Sequence, residues 1–211
     1  MNSPYPYLYW WFKKIFKKEF CEAIIKHALQ QQEKMALTGD LKNSDKLTKK
    51  QLKDLKKIRN SNVIFLNDRW IRNEIVPFIQ EANIGSGWNF DMDYAEDMQF
   101  TIYKKGQFYD WHQDSEGKPF TDQKNENING KIRKLSCSIV LSDSKNYKGG
   151  ELLFEEQKKS FNKKPKILTC EEIKEQGSMA VFPSYTWHKV KPVTHRTRYS
   201  LVIWFLGKPF R

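Results

Sequence analysis

Between Lys13 and Met35 the apolar positions Phe16, Phe20, Ala23 and Ile24 recur at three- and four-residue spacing, which predicts one amphipathic helix over that span. His27 falls on or near the apolar face and reads as a structural residue. A polar break from Thr38-Gly39-Asp40 to Asn43-Ser44-Asp45 ends the pattern, and Leu52, Leu55 and Ile58 mark a second, short helix. A third begins at Asn67-Asp68-Arg69 and carries Trp70, Ile71, Ile75, Phe78 and Ile79 on its apolar side. The aromatic run Tyr5 to Phe12 is expected to form an apolar lid on this helical layer, in preference to a partner or membrane contact. Residues 1–60 thus read as an N-terminal helical segment packed on a core formed by 61–211, the two making one structural domain.

From Asn89 onward the period shortens from 3.6 to 2. Strands are predicted at Phe90 to Tyr94, Met98 to Tyr103, Leu135 to Leu141, Glu151 to Phe154, Met179 to Phe182, Lys189 to Val193 and Thr197 to Phe205. In the last of these, alternation sets Arg198, Ser200, Val202 and Trp204 on one face and Tyr199, Leu201, Ile203 and Phe205 on the other. The polar stretch Ser115 to Lys134 interrupts the strands. A loop of that length inside a compact domain is usually functional or disordered, and this one is placed to close over a substrate.

Composition narrows the class. A chain of 211 residues suits one domain with a sizeable core. Cys21, Cys137 and Cys170 are odd in number and far apart, which argues for buried thiols in a reducing compartment and against a disulfide framework. No run of apolar residues is long enough to span a bilayer, and the N-terminus lacks the order of a secretory signal, so a cytoplasmic protein is expected. The net charge of +12 raises the question of nucleic acid. Residues 1–60 hold 14 Lys and Arg against 6 Asp and Glu, however, and the remainder 23 against 19. The excess lies mostly outside the strand-rich part, on helices whose lysines read as solvated surface, with no aromatic-interleaved basic motif or zinc pattern.

The chemistry concentrates in His112-x-Asp114 and His188. Two imidazoles and one carboxylate form the facial triad that holds Fe(II) and leaves coordination positions open. On an extended chain His112 and Asp114 point to the same side. Gly177-Ser178 opens a turn, Met179 to Phe182 reads as a buried strand, and Pro183-Ser184 ends it shortly before Trp187-His188, which presents the third ligand at a strand edge. Arg198 follows ten residues later on an otherwise apolar inward face. A buried guanidinium is costly unless an anion meets it, and a dicarboxylate would do so, with the Ser200 hydroxyl donating to the same group. An internal salt bridge to a protein carboxylate is the competing reading of Arg198 alone.

With these residues assembled, the chain resembles the 2-oxoglutarate and Fe(II) dependent dioxygenases, in particular the prolyl-4-hydroxylase-like branch that includes the PKHD-type hydroxylases of bacteria and phages. The resemblance covers roughly residues 60 to 207. It is carried by Tyr103-x-x-Gly106-Gln-x-Tyr109-x-x-His112-x-Asp114, by Leu135 to Leu141 with Gly149-Gly150-Glu151-Leu152, by Phe182-Pro183 and His188-x-Val190-x-Pro192-Val193, and by Thr197-Arg198-Tyr199-Ser200 with Trp204. Nucleic-acid demethylases that share the triad usually add a second arginine where this chain has Trp204.

The resemblance implies an α+β, mainly β fold, a double-stranded β-helix (jelly roll) with the helical layer on one sheet. It implies Fe(II) on His112, Asp114 and His188, the distal carboxylate of 2-oxoglutarate on Arg198, and Tyr103 on another cosubstrate oxygen, with Ser200 as an extension of that set. Tyr109, Trp111, Trp187 and Trp204 are expected to line the substrate pocket. The implied reaction consumes O2, releases succinate and CO2 and hydroxylates an unactivated C–H bond, with ascorbate as reductant. The expected substrate is a prolyl residue of a peptide or protein; the alternative is a free amino acid, another small molecule or a nucleobase. The implied setting is the cytoplasm of a bacterium or of a virus-infected host cell.

Overall fold

The computed structural model describes residues 7–37, 47–156 and 164–210. In chain order the strands are β1 (Trp10–Phe12), β2 (Lys34–Met35), β3 (Arg59–Asn60), β4 (Asn62–Leu66), β5 (Tyr94–Ala95), β6 (Met98–Tyr103), β7 (Phe108–His112), β8 (Ile132–Val140), β9 (Lys148–Gly149), β10 (Leu152–Glu156), β11 (Lys166–Thr169), β12 (Met179–Pro183), β13 (His188–Val190), β14 (Val193–His195) and β15 (Arg198–Gly207). Three helices accompany them: α1 (Lys18–Ala28), α2 (Lys49–Ile58) and α3 (Arg69–Gly85). An eight-stranded antiparallel sheet runs β1-β12-β8-β15-β6-β4-β2 with β5 beside β15, and a five-stranded one runs β11-β10-β13-β7-β3. β14 and β9 form a separate two-stranded ladder. This is the expected jelly roll with a helical layer.

The large sheet is buried on both faces, so alternation along its strands changes chemistry rather than burial. Met98, Phe100, Ile102, Leu135, Cys137, Ile139, Leu201 and Ile203 point one way and join Ile24 of α1 and Ile71, Ile75 and Ile79 of α3 in one apolar core. The opposite face presents Gln99, Thr101, Ser136, Ser138, Arg198 and Ser200, all nearly or fully buried. Hydroxyls and amides there bond one another, as Gln99 Nε2 to Thr101 Oγ1 (3.0 Å) and Ser136 Oγ with Ser184 Oγ (2.9 Å). A second core of Leu152, Phe154, Cys170, Phe182 and Val190 fills part of the space between the sheets. The two faces deduced for the last strand are those observed.

The sequence pattern overran several boundaries. The helix expected from Lys13 to Met35 is confined to α1, because Lys34 and Met35 turn out to pair with β4 as β2. His27 lies 3.0 Å from Asp68 and edge-on to Trp70, a structural role as expected. The polar break at Thr38 to Asp45 lies outside the described residues. Of the run Tyr5 to Phe12, residues 5 and 6 lie outside them as well, and residues 10–12 are a strand: β1 extends the large sheet along β12. Its side chains straddle the sheet edge. Phe12 meets Phe78 of α3 (5.5 Å), while Tyr9 stacks on Phe154 between the sheets (4.7 Å).

Of the strand expected at Phe90 to Tyr94 only Tyr94 joins a ladder, as part of β5. The stretch Lys189 to Val193 is split into β13 and β14 around Pro192, which has no N–H to continue the pairing. The long polar loop ends at Lys131, since Ile132 to Lys134 already belong to β8. Residues 1–60 are not helical throughout, because β1 and β2 lie in the large sheet and β3 pairs with β7 in the small one.

Two glycines are needed where β9 meets β10. A Cβ on Gly149 (φ +79°) would sit 2.3 Å from the Pro192 carbonyl oxygen, and one on Gly150 (φ +72°) 2.7 Å from Arg198 Cδ. The turn before β15 instead places Arg196 in the left-handed region at φ 56°.

Candidate metal centre

His112 ends β7 and His188 opens β13, and the two are direct partners across that ladder. Asp114 lies just past the strand. Its backbone N–H donates to the Ser184 carbonyl (2.9 Å), as does that of Ser115 (3.0 Å), which fixes the chain leaving β7 against the end of β12. The expected three residues therefore meet between the sheets, with one donor atom from each within 4.8 Å of the others.

The orientation of the rings suits a metal. His112 Nδ1 is 2.7 Å from the Asp110 carbonyl oxygen and His188 Nδ1 2.9 Å from that of Thr186. A carbonyl only accepts, so each Nδ1 carries a proton, the tautomer whose neutral ring offers the Nε2 lone pair to a metal. These Nε2 atoms lie 3.7 and 3.6 Å from the two Asp114 carboxylate oxygens, too far for direct hydrogen bonds and suitable for a shared cation.

The electrostatics act in the same sense. Burial, then His188, hold the His112 imidazole down to about 3, so it stays neutral at neutral pH. Burial alone would raise Asp114, but His188, His112, Arg133 and a hydrogen bond from Ser136 outweigh it and hold the carboxyl at about 2. Neutral imidazoles and an ionised carboxylate are the forms that bind metal. His112, Asp114 and His188 thus fit a divalent cation such as Fe(II).

Tyr103, Tyr109, Ser200 and Trp204 line the cavity of about 40 Å³ beside the three ligands. Tyr109 stacks on His112 at 3.4 Å, and burial pushes its hydroxyl up to about 12. Tyr103 is buried, which also raises its hydroxyl. Trp111 and Trp187 are not among the lining residues, contrary to expectation: each is one step from a ligand histidine, so alternation turns it to the other side of its strand. Trp187 is 44% exposed, and the Lys189 ammonium lies 5.4 Å from the Trp111 ring.

Arg198 faces Tyr103 across β15 and β6, its guanidinium carbon 5.7 Å from the tyrosine ring. It is 2% exposed, yet its Nη1 has no hydrogen-bond partner among the described residues. It also lines an adjoining cavity of about 290 Å³ with Gly149, Gly150, Tyr147 and Lys174. An orphaned buried donor beside a wall kept clear by Gly150 fits an anionic group such as the carboxylate of 2-oxoglutarate.

Sequence reasoning missed two arginines. Arg133 grips Glu96 with two 2.7 Å bonds, stacks 3.9 Å over Trp204 and approaches the Asp114 carbonyl at 3.5 Å. Arg59 lies 4.5 Å over the Tyr109 ring and lines the cavity beside the ligands. The alternation of Ser136 and Ser138 could have suggested a polar inner face, but Arg133 lies three residues before Ser136, where strict alternation would set it with Leu135. Nothing local marked Arg59 among the lysines before it.

A family model described as the 2OG-Fe(II) oxygenase superfamily matches residues 98–206. A PKHD-type hydroxylase of Aliarcobacter butzleri is 25% identical over 165 residues, 78% of this chain and 58% of the relative. The chain spans less than two thirds of the length of the first curated relatives it matches. Among solved structures, a Pseudomonas putida prolyl-4-hydroxylase superposes with a TM-score of 0.63 at 16% identity, covering 95% of this chain and 93% of that one. A Trichoplax adhaerens prolyl hydroxylase, in complex with a peptide fragment of the hypoxia inducible factor oxygen degradation domain, gives 0.59 at 14% identity, covering 94% and 83%.

Proposed function

Since the chain belongs to the 2OG-Fe(II) oxygenase superfamily, we propose that it hydroxylates a prolyl residue of a peptide or protein, converting 2-oxoglutarate to succinate and CO2. The observation that carries this reading is the meeting of His112, Asp114 and His188 in the same interior as Arg198, whose buried Nη1 has no partner among the described residues.

Iron bound by the three ligands supplies the oxygen-activating chemistry, and ascorbate serves to keep it reduced. The chain's own residues bind and orient. Asp110 and Thr186 carbonyls hold the two imidazoles in the ligating tautomer. Arg198 receives the distal carboxylate, Ser200 and Tyr103 donate to the cosubstrate, and Gly150 keeps the guanidinium clear. Leu152, Phe182 and Val190 line the cavity and exclude water. Trp204 lines the same cavity, and its Nε1 is buried with no hydrogen-bond partner among the described residues, a donor suited to a substrate carbonyl.

The peptide reading is supported by the likeness to prolyl hydroxylases and by the loop between β7 and β8. That loop is closed by paired hydrogen bonds between Phe120 and the segment Gly130-Lys131. Phe120 lies 5.8 Å from the Arg133 guanidinium that covers Trp204, so the loop stands beside the cavity and can grip an extended chain.

The test incubates the protein with Fe(II), ascorbate and 2-oxoglutarate plus proline peptides, free amino acids or nucleosides, and follows succinate release and oxygen incorporation by mass spectrometry. Oxygen gained by a prolyl residue supports the proposal. Gain by a free amino acid or nucleoside alone overturns the prolyl assignment and leaves the oxygenase reading standing.

A further inference from the structure

Every described lysine of the first sixty residues is exposed, whereas Arg59 is 6% exposed and sits beside the metal ligands. It follows α2 directly, and β3 places it opposite Tyr109 of β7 at the edge of the small sheet. Its Nε donates to Ser61 Oγ (3.1 Å) and its Nη1 to the Leu37 carbonyl (3.1 Å). Both acceptors are neutral. Nη2 is buried and has no partner among the described residues.

Arg133 provides the comparison within the same site. It is half-buried, and Glu96 neutralises it through two bonds. No such carboxylate is paired with Arg59 among the described residues. The π face of Tyr109 offsets part of its desolvation but leaves the Nη2 donor unmet. A buried guanidinium held by two neutral bonds, on a residue that lines the cavity, is arranged for an anion that arrives from outside.

Resting on the oxygenase reading above, we propose that Arg59 is a carboxylate-binding residue of the cavity beside the ligands, separate from Arg198, which lines the adjoining cavity. Arg198 stands at the head of β15 beside Gly150, while Arg59 stands on the β7 side with Tyr109 and His112, and Tyr103 feels both cations. Two separate guanidinium positions take two separate carboxylates. The one at Arg59 belongs either to the metal-side end of 2-oxoglutarate or to the molecule being hydroxylated.

Calorimetric titration of protein loaded with Mn(II), which holds the site without turnover, separates these sources. Wild type and Arg59→Gln are titrated with 2-oxoglutarate alone, then at saturating 2-oxoglutarate with a proline peptide that carries glutamate beside the proline and with its glutamine counterpart. A charge-assisted bond corresponds to about a tenfold change in affinity or more. If cosubstrate is the ligand, Arg59→Gln weakens 2-oxoglutarate by that factor in the first arm. If the substrate supplies the carboxylate, 2-oxoglutarate binding is unchanged and the variant loses the wild type's preference for the glutamate peptide over the glutamine one. Unchanged affinity in both arms, with wild-type binding intact, overturns the Arg59 assignment alone; failure of the wild type to bind 2-oxoglutarate overturns the oxygenase reading with it. Should Arg59→Gln not fold, the side-chain Nε and Nη resonances of Arg59 in wild type loaded with diamagnetic Zn(II) in place of Mn(II) must shift when these ligands are added. Resonances that stay in place overturn the proposal.

Discussion

Arg198→Met separates binding from folding. The wild-type side chain is 2% exposed with an orphaned Nη1, a defect worth about 1–3 kcal/mol in the ligand-free protein. Methionine fills much of the same volume without a donor to satisfy, so the ligand-free variant should melt at the wild-type temperature or a few degrees above it. Ligand reverses the order. With Mn(II) and 2-oxoglutarate at a hundred times its Kd, wild type gains about 2.7 kcal/mol, which for a chain of this size is roughly 5–10 °C. Losing the charge-assisted contact costs about 3 kcal/mol of affinity, or roughly 150-fold. The same 2-oxoglutarate is then below the variant's Kd, and the shift shrinks to about 1 °C. Thermal melting of both proteins with and without cosubstrate reads all four states. A variant that keeps most of the cosubstrate shift would show that another cation anchors the dicarboxylate. A ligand-free variant that melts well below wild type would show that Arg198 is a structural residue.

Removing either imidazole, as His112→Ala or His188→Ala, should take bound Fe(II) from about one per chain to near none by elemental analysis, while far-ultraviolet circular dichroism stays that of the folded protein. Retained iron in either variant refutes the triad. Gly150→Ala puts a Cβ 2.7 Å from Arg198 Cδ at φ +72°; it should cost about 1–2 kcal/mol of stability and weaken 2-oxoglutarate binding in the same titration, and unaltered affinity would count against the pocket assigned beside Gly150. Phe154 is fully buried between Tyr9 (4.7 Å) and Phe182 (4.9 Å), so Phe154→Ala should lose about 3–5 kcal/mol in urea unfolding; a loss below 1 kcal/mol would contradict that packing. Burial raises all three thiols, Cys21 to about 11, so none should react with an aromatic disulfide reagent in the native protein at pH 8 and all three should after denaturation.

His112 and Asp114 were legible as a pair because they are two residues apart on extended chain, and His188 as a histidine at the edge of a buried strand and its turn; that the three meet was implied by the family resemblance, and the β7–β13 ladder brings it about. Alternation likewise separated Arg198 and Ser200 from Leu201 and Ile203, and the sheet kept that division because a one-residue slip would have turned every apolar side chain from the helices toward the polar interior. Where a segment's partner decides its form, local pattern failed. Lys34 and Met35 continue a helical periodicity yet pair with β4, and Trp10 to Phe12 read as a lid yet complete a sheet edge, since backbone donors there are satisfied only by a neighbour distant in the chain. Trp111 and Trp187 flank ligands in sequence and leave the cavity in space for the same reason that the histidines enter it. Arg59 and Arg133 were invisible because a charge is assigned to the interior by what surrounds it: Glu96 for Arg133, and Tyr109, Ser61 and the Leu37 carbonyl for Arg59, none of which short-range periodicity can bring together. Sequence determined which atoms can hold the metal; tertiary packing decided which buried cations stand beside it and which of them is left without an anion.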